Sequence, residues 1–259
     1  MNKYENNQER TRKYLKDFNR EKVLKLLVKA DQPIIFDVGA NVGDTLVDFK
    51  EWWPNSKVHC FEPQHECWKD LEEKVTNFGF TDVFINKYAV GNTIVDHATF
   101  FSHDITSGQS GFNKINTESL DSINLNELKN NDYNALKKYK EKLNHERKVK
   151  IVPLVNYMND KNVEHLDLLK IDTQGYEPEV LNGLENNLSE VDVVIAELML
   201  YDFYERSLSF LDIEKYLIPA GFHLYDISHI SKNPMNGRTD WVDVIYVNHK
   251  MRNNDLKEK

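Results

Sequence analysis

Short apolar runs and segments of helical periodicity alternate along this chain. The runs from Ile34 to Val38, Val58 to Phe61, Val83 to Ile85, Leu166 to Ile171, Val191 to Ala196, Phe222 to Ile227 and Val242 to Val247 read as strands. Between them, Lys13 to Ala30, Asp44 to Trp53 and Cys67 to Phe78 carry apolar residues at helical spacing, as does the segment that uses Val180, Leu181 and Leu184. The alternation predicts an α/β fold: a mostly parallel sheet with helices on both faces. The last two strands, joined through Pro234 and Gly237, are expected to form a hairpin. Val95 to Phe101 is a further short strand interrupted by His97, and Ser102 to Gly111 has the small polar composition of a binding loop.

The pattern divides the chain into an N-terminal helical segment at 1–32, a core at 33–249 and a charged tail at 250–259. Composition adds a charged insertion at about 113–150, where Asn, Lys and Glu dominate around a thin stripe of Tyr133, Leu136, Tyr139 and Leu143. This insertion reads as a solvated helix, a lid or a subunit contact, and it leaves room for a homo-oligomer.

The first strand stops at Asp37 and opens into Gly39, Ala40, Asn41 and Gly43. Such a turn lets a ligand approach the backbone closely, because glycine takes positive φ freely and asparagine tolerates it. The spacing is not that of a pyrophosphate-binding fingerprint, which disfavours a nicotinamide enzyme. Asp37 would repel phosphate but suit a cationic amino acid, and S-adenosylmethionine carries an ammonium and a sulfonium. Glu62 ends the second strand 23 residues beyond Gly39, where ribose hydroxyls are gripped. Ala89, in the exit loop from Lys87 to Asn92, would face the cofactor's base.

Charge narrows the partners. With 33 Lys and Arg against 42 Asp and Glu, the formal net charge of −9 argues against nucleic acid as substrate. No run reaches the roughly 18 apolar residues of a membrane span, and the first residues lack the apolar stretch of a signal peptide. Cys60 and Cys67, the 2 cysteines, lack a second ligand pair for zinc beside His59 and His65 and read as core thiols. A cytoplasmic protein is expected.

Three blocks together resemble the FkbM-type family of class I S-adenosylmethionine-dependent methyltransferases: Phe36 to Gly43, Phe61-Glu62-Pro63, and Leu168 to Glu177 with Val180-Leu181. The resemblance implies a Rossmann-like seven-stranded sheet with an antiparallel last strand, and methyl transfer to a hydroxyl of a sugar or natural product. A nucleotide-linked sugar or a surface-polysaccharide precursor is the expected small-molecule acceptor. Gln174 and Val155 depart from the family pattern, in which acids are common at those positions, so a binding subunit without catalysis stays open as an alternative.

Bases for such a reaction are expected beyond the carboxyl ends of the strands, where Asp172 and Glu197 lie, with Lys170 on the same strand face as Asp172. A divalent cation held by Asp172, Glu197 and Asp226 is admitted by the chemistry but disfavoured, since carboxylate-only patterns are common by chance. His97, His223 and His229 read as ordinary surface or strand residues.

Overall fold

A computed structural model describes residues 7–119, 133–234 and 236–251. Part of the insertion (120–132), the first six residues and the tail beyond 251 lie outside the described residues. Ten strands are described: β1 (Ile34–Val38), β2 (Lys57–Phe61), β3 (Val83–Asn86), β4 (Ala89–Val90), β5 (Val95–Ser102), β6 (His145–Val152), β7 (Leu166–Ile171), β8 (Val191–Met199), β9 (Phe222–Lys232) and β10 (Thr239–Asn248).

Seven of them form one sheet in the order β3-β2-β1-β7-β8-β10-β9. The first five in that order pair in parallel, whereas β10 runs antiparallel to both β8 and β9. Because β10 is reversed, its first residues, not its last, reach the edge where β1, β2, β7 and β8 end. The central strands are continuous apolar runs because both faces are covered. On one face Phe36, Leu169, Val194 and Val244 pack against Leu154, Tyr157, Leu181 and Ile213. On the other, Ile35, Leu168, Ile195 and Ile245 pack against Leu24, Leu46, Phe49 and Leu71. Strand side chains alternate between faces, so Asp37, Lys170, Glu197 and Asp243 fall on this second face near the strand ends.

Several local features differ from the sequence expectation. The N-terminal segment, read as helices, holds two of them, Asn7–Asp17 and Arg20–Leu27, separated where Asn19 accepts the Lys22 N–H and caps the second; the differences lie elsewhere. His97 does not interrupt β5, because a register shift between Val95 and Ala98 absorbs the irregularity. Residues 145–150, grouped by their charge with the insertion, belong to β6, the middle strand of a second sheet ordered β4-β6-β5. One face of that sheet meets water, which is why charged residues populate it. Ala89 and Val90, expected in a loop, form the short β4 beside Ile151 and Val152. Leu154–Lys161 and Phe210–Leu217 are additional helices, the latter started by a capping box of Ser209 and Asp212. Cys60 and Cys67 are free thiols, both buried.

Candidate functional site

The turn after β1 is shaped by close approach. Gly39 has φ 80°, and a Cβ placed on it would lie 1.9 Å from the Asp172 carbonyl oxygen, so β1 and β7 can meet here only across a glycine. The Gly39 and Ala40 N–H groups both donate to Phe61 O, at 3.0 and 3.1 Å. Asn41 takes φ 47°, and its N–H donates to Glu62 Oε2 at 2.8 Å, while the Gln64 N–H donates to Oε1 at 2.7 Å. Gly43, at φ 86°, sits against Leu71 and starts the Asp44–Trp52 helix.

A cleft opens beside this turn. Gly39, Asn41 and Glu62 form one wall, Asp172 and Gln174 the floor, and Ala89, Val90, Phe100 and Phe112 an apolar side suited to a flat base. Phe112 lies against Tyr176 with ring centroids 4.3 Å apart. The segment from Phe100 to Phe112 roofs the cleft. Ser107 Oγ in that roof donates to Asn41 Oδ1 at 2.8 Å, and Gln64 Nε2 donates to Ser107 O at 3.2 Å. Ser110, also on the cleft and 7% exposed, has a buried hydroxyl without a hydrogen-bond partner. Glu62 is 2% exposed, and burial lifts its carboxyl to about 7 against the pull of the Gln64 and Asn41 N–H donors.

Asp37 and Lys170 are not on this cleft. They face each other in register across β1 and β7, and Lys170 Nζ lies 3.1 Å from Asp37 Oδ1 with neither side chain more than 6% exposed. Lys170 also donates to Gly39 O at 3.0 Å and stands 3.5 Å from Asp172 Oδ2. Burial opposes its charge, but Asp37 and Asp172 overcome that and raise its pKa. The structure thus places both of these predicted site residues behind the turn. The Asp37 carboxylate pairs with an internal cation, and Lys170 braces the glycine turn from behind. Ala40 and Gly43 likewise shape the turn without bordering the cleft.

Glu197 borders a second cavity, together with Gln109, Gln174, Met199, Tyr201, Phe203 and Trp241. The two cavities share Gly108 and Gln174. Gln174 Nε2 donates to Asp172 Oδ1 at 2.7 Å and to Glu197 Oε2 at 2.9 Å, so the structure joins the two carboxylates through an amide. Burial first, then the charges of Asp172, Asp243 and Glu177, push Glu197 well above the ordinary carboxylate range. Glu177 organises the turn itself, its Oε1 accepting from the Thr173 N–H at 2.7 Å and the Thr173 hydroxyl at 2.9 Å. Asp226 does not join Asp172 and Glu197; its carboxylate accepts from the Tyr14 hydroxyl. Among the described residues, the His, Cys, Asp and Glu side chains close enough to share an ion are His165, Asp167 and Asp192, at the opposite ends of β7 and β8.

Tyr201, Phe203, Tyr204 and Trp241 carried no periodic signal that singles them out. The clue was compositional: an aromatic cluster directly follows the strand that ends near Glu197.

The strand order, with β10 reversed between β8 and β9, defines a class I methyltransferase fold. The profile of the Methyltransferase FkbM domain matches residues 37–224, and the chain belongs to the FkbM methyltransferase family. A curated relative, Methyltransferase 1 of Beauveria bassiana (strain ARSEF 2860), is 23% identical over 170 residues, covering 65% of this chain and 65% of that protein. The match thus spans just under two thirds of the relative's length. Among solved structures, Methyltransferase FkbM from Methylobacillus flagellatus KT aligns with 13% identity and a TM-score of 0.49, over 84% of this chain and 44% of that one. M. capricolum TrmK in complex with S-adenosyl-homocysteine aligns with 12% identity and a TM-score of 0.46, over 88% and 67%. No helix among the described residues is long and apolar enough to cross a membrane.

Proposed function

We propose that this protein is an S-adenosylmethionine-dependent O-methyltransferase of a sugar hydroxyl, on a nucleotide-linked sugar or a polysaccharide precursor in the cytoplasm. The observation that carries this reading is the pair of cavities meeting at Gln174, one with a buried acid at a glycine turn and the other with an aromatic wall over a buried acid. The first suits the cofactor: Glu62 keeps lone pairs for two ribose hydroxyls beyond those taken by backbone N–H groups, and the unpartnered Ser110 hydroxyl awaits a ligand atom. The second suits a sugar, whose C–H faces pack on aromatic rings while its hydroxyls need acceptors and donors such as Glu197 and Gln109.

Bound S-adenosylmethionine supplies an electrophilic methyl group on a sulfonium. The protein's part is to bring the hydroxyl into line and to take its proton as the new O–C bond forms and the S–C bond breaks. Glu197 is the group for the proton, since a carboxylate lifted by burial is a stronger base than an exposed one. Asp172, 36% exposed at the end of β7, shares the same floor.

Two measurements test the reading. Calorimetry with S-adenosylhomocysteine should show one site; folded protein that does not bind it would remove the cofactor. Methyl-labelled cofactor with a panel of sugar nucleotides should label an acceptor, and a Glu197→Gln variant should bind cofactor normally yet transfer at least ~100-fold more slowly. Cofactor binding with no transfer to any sugar in the panel would favour a binding subunit or a non-sugar acceptor.

A further inference from the structure

Gln174 stands where the two cavities meet, 8% exposed and at φ 57°, a conformation uncommon for a residue with a Cβ. Its amide is fully used. The nitrogen gives one hydrogen to Asp172 and one to Glu197, and the oxygen accepts from the Tyr204 hydroxyl at 2.6 Å. Turning the amide over would aim its oxygen at two carboxylates, which would require a proton between them. Tyr204 opposes that reversal. Its hydroxyl has one hydrogen and lies nearer to Gln174 Oε1 than to Gln109 O, which is 2.9 Å away.

The surroundings of Glu197 make the amide consequential. Asp172 faces it from the end of β7, Asp243 lies opposite on β10, Glu177 approaches from the following helix, and Tyr204 closes the loop side. The nearby cations are turned to other acids. Arg20 lies 3.3 Å from Asp243, which His229 opposes on β9, and Lys170 lies between Asp37 and Asp172. The donor that reaches Glu197 is therefore the neutral amide of Gln174.

We propose that Gln174 is a positioning residue that draws Glu197 toward its carboxylate form, with its amide orientation held by Tyr204, so that the carboxylate can accept the proton of the acceptor hydroxyl. This rests on the reading of Glu197 as the base. The direction follows from elementary electrostatics: N–H donors favour the anion, while burial and three neighbouring acids favour the neutral acid. Without the amide, Glu197 loses the donor that favours its anion and takes up a proton at higher pH.

The test measures that proton directly. Protein labelled with ¹³C at the glutamate carboxyl is titrated by NMR, and the Glu197 signal is identified by its loss in Glu197→Gln. Gln174→Met, similar in size but without a donor, is expected to move the Glu197 midpoint up by one pH unit or more, a tenfold rise in proton affinity. Tyr204→Phe is expected to move it in the same direction by less. An unchanged or lowered midpoint in folded Gln174→Met overturns the proposal; if that variant does not fold, the same result in Tyr204→Phe does so. No acceptor or cofactor is needed, so a failed methyl-transfer assay and a failed titration are separate results.

Discussion

Replacing Gly39 with alanine isolates the close approach on which the cleft depends. Two costs add. The left-handed backbone at φ 80° costs about 1–2 kcal/mol once a Cβ is present. The second is steric, because the new Cβ would be 1.9 Å from Asp172 O and must be relieved by separating β1 from β7. That separation stretches two hydrogen bonds, Asp172 N–H to Val38 O and Lys170 Nζ–H to Gly39 O, each 3.0 Å long. At about 1 kcal/mol apiece the total becomes roughly 3–4 kcal/mol. Gly79 provides the control. It ends the His65–Phe78 helix at φ 65°, with nothing within 4 Å of a built Cβ, so Gly79→Ala should cost only the backbone part, about 1–2 kcal/mol. Urea unfolding followed by tryptophan fluorescence compares the two variants. Gly39→Ala should lose about 2 kcal/mol more than Gly79→Ala. Equal losses would show that β1 and β7 can part at this point without cost, and the argument for a glycine-only contact would fail.

Three other outcomes are expected. Lys170→Met should destabilise the protein by about 3–5 kcal/mol by stranding the buried Asp37, and the double variant with Asp37→Asn should recover much of that; a double variant as unstable as the single one would contradict the pairing. Glu62 titrates at about 7 in the folded chain against 4.5 when unfolded, so its contribution is fully present below 4.5 and is lost as pH rises through about 7. Chemical unfolding between pH 5 and 8 should therefore show a smaller loss of stability with rising pH in Glu62→Gln than in the natural protein; parallel curves would deny the shift. Ser110→Ala should leave stability within roughly 0.5 kcal/mol, because the hydroxyl has no partner to lose, yet weaken S-adenosylhomocysteine binding roughly three- to tenfold; unaltered affinity would remove Ser110 from the site.

The parallel half of the sheet was legible because β1, β2, β7 and β8 are buried on both faces and so appear as unbroken apolar runs. β6 was not legible for the opposite reason. With Glu146, Arg147 and Lys148 exposed, it has the composition of a solvated helix. The Phe210–Leu217 helix left a local sign in Ser209 and Asp212, but its apolar stripe is too short to stand out. In the site, the turn from Gly39 to Gly43 and the nearness of Glu62 follow from local geometry. The pairing of Asp37 was not legible because its partner sits on another strand far along the chain, and only register brings Lys170 to it. Tyr204 and Trp241 arrive from segments outside the periodic pattern, so their meeting at Gln174 and Glu197 is a product of tertiary folding.

The reversed direction of β10 has a consequence for how this protein can diversify. A strand that enters the sheet from the edge bearing both cavities contributes Trp241 and Asp243 soon after the turn that leads from β9 to β10, not after a long crossing of the core. Length or sequence change in that turn leaves the paired part of the sheet intact while altering what lies beside the aromatic wall. A short surface hairpin can thus reshape the second cavity, while the glycine turn stays constrained by the backbone of β7.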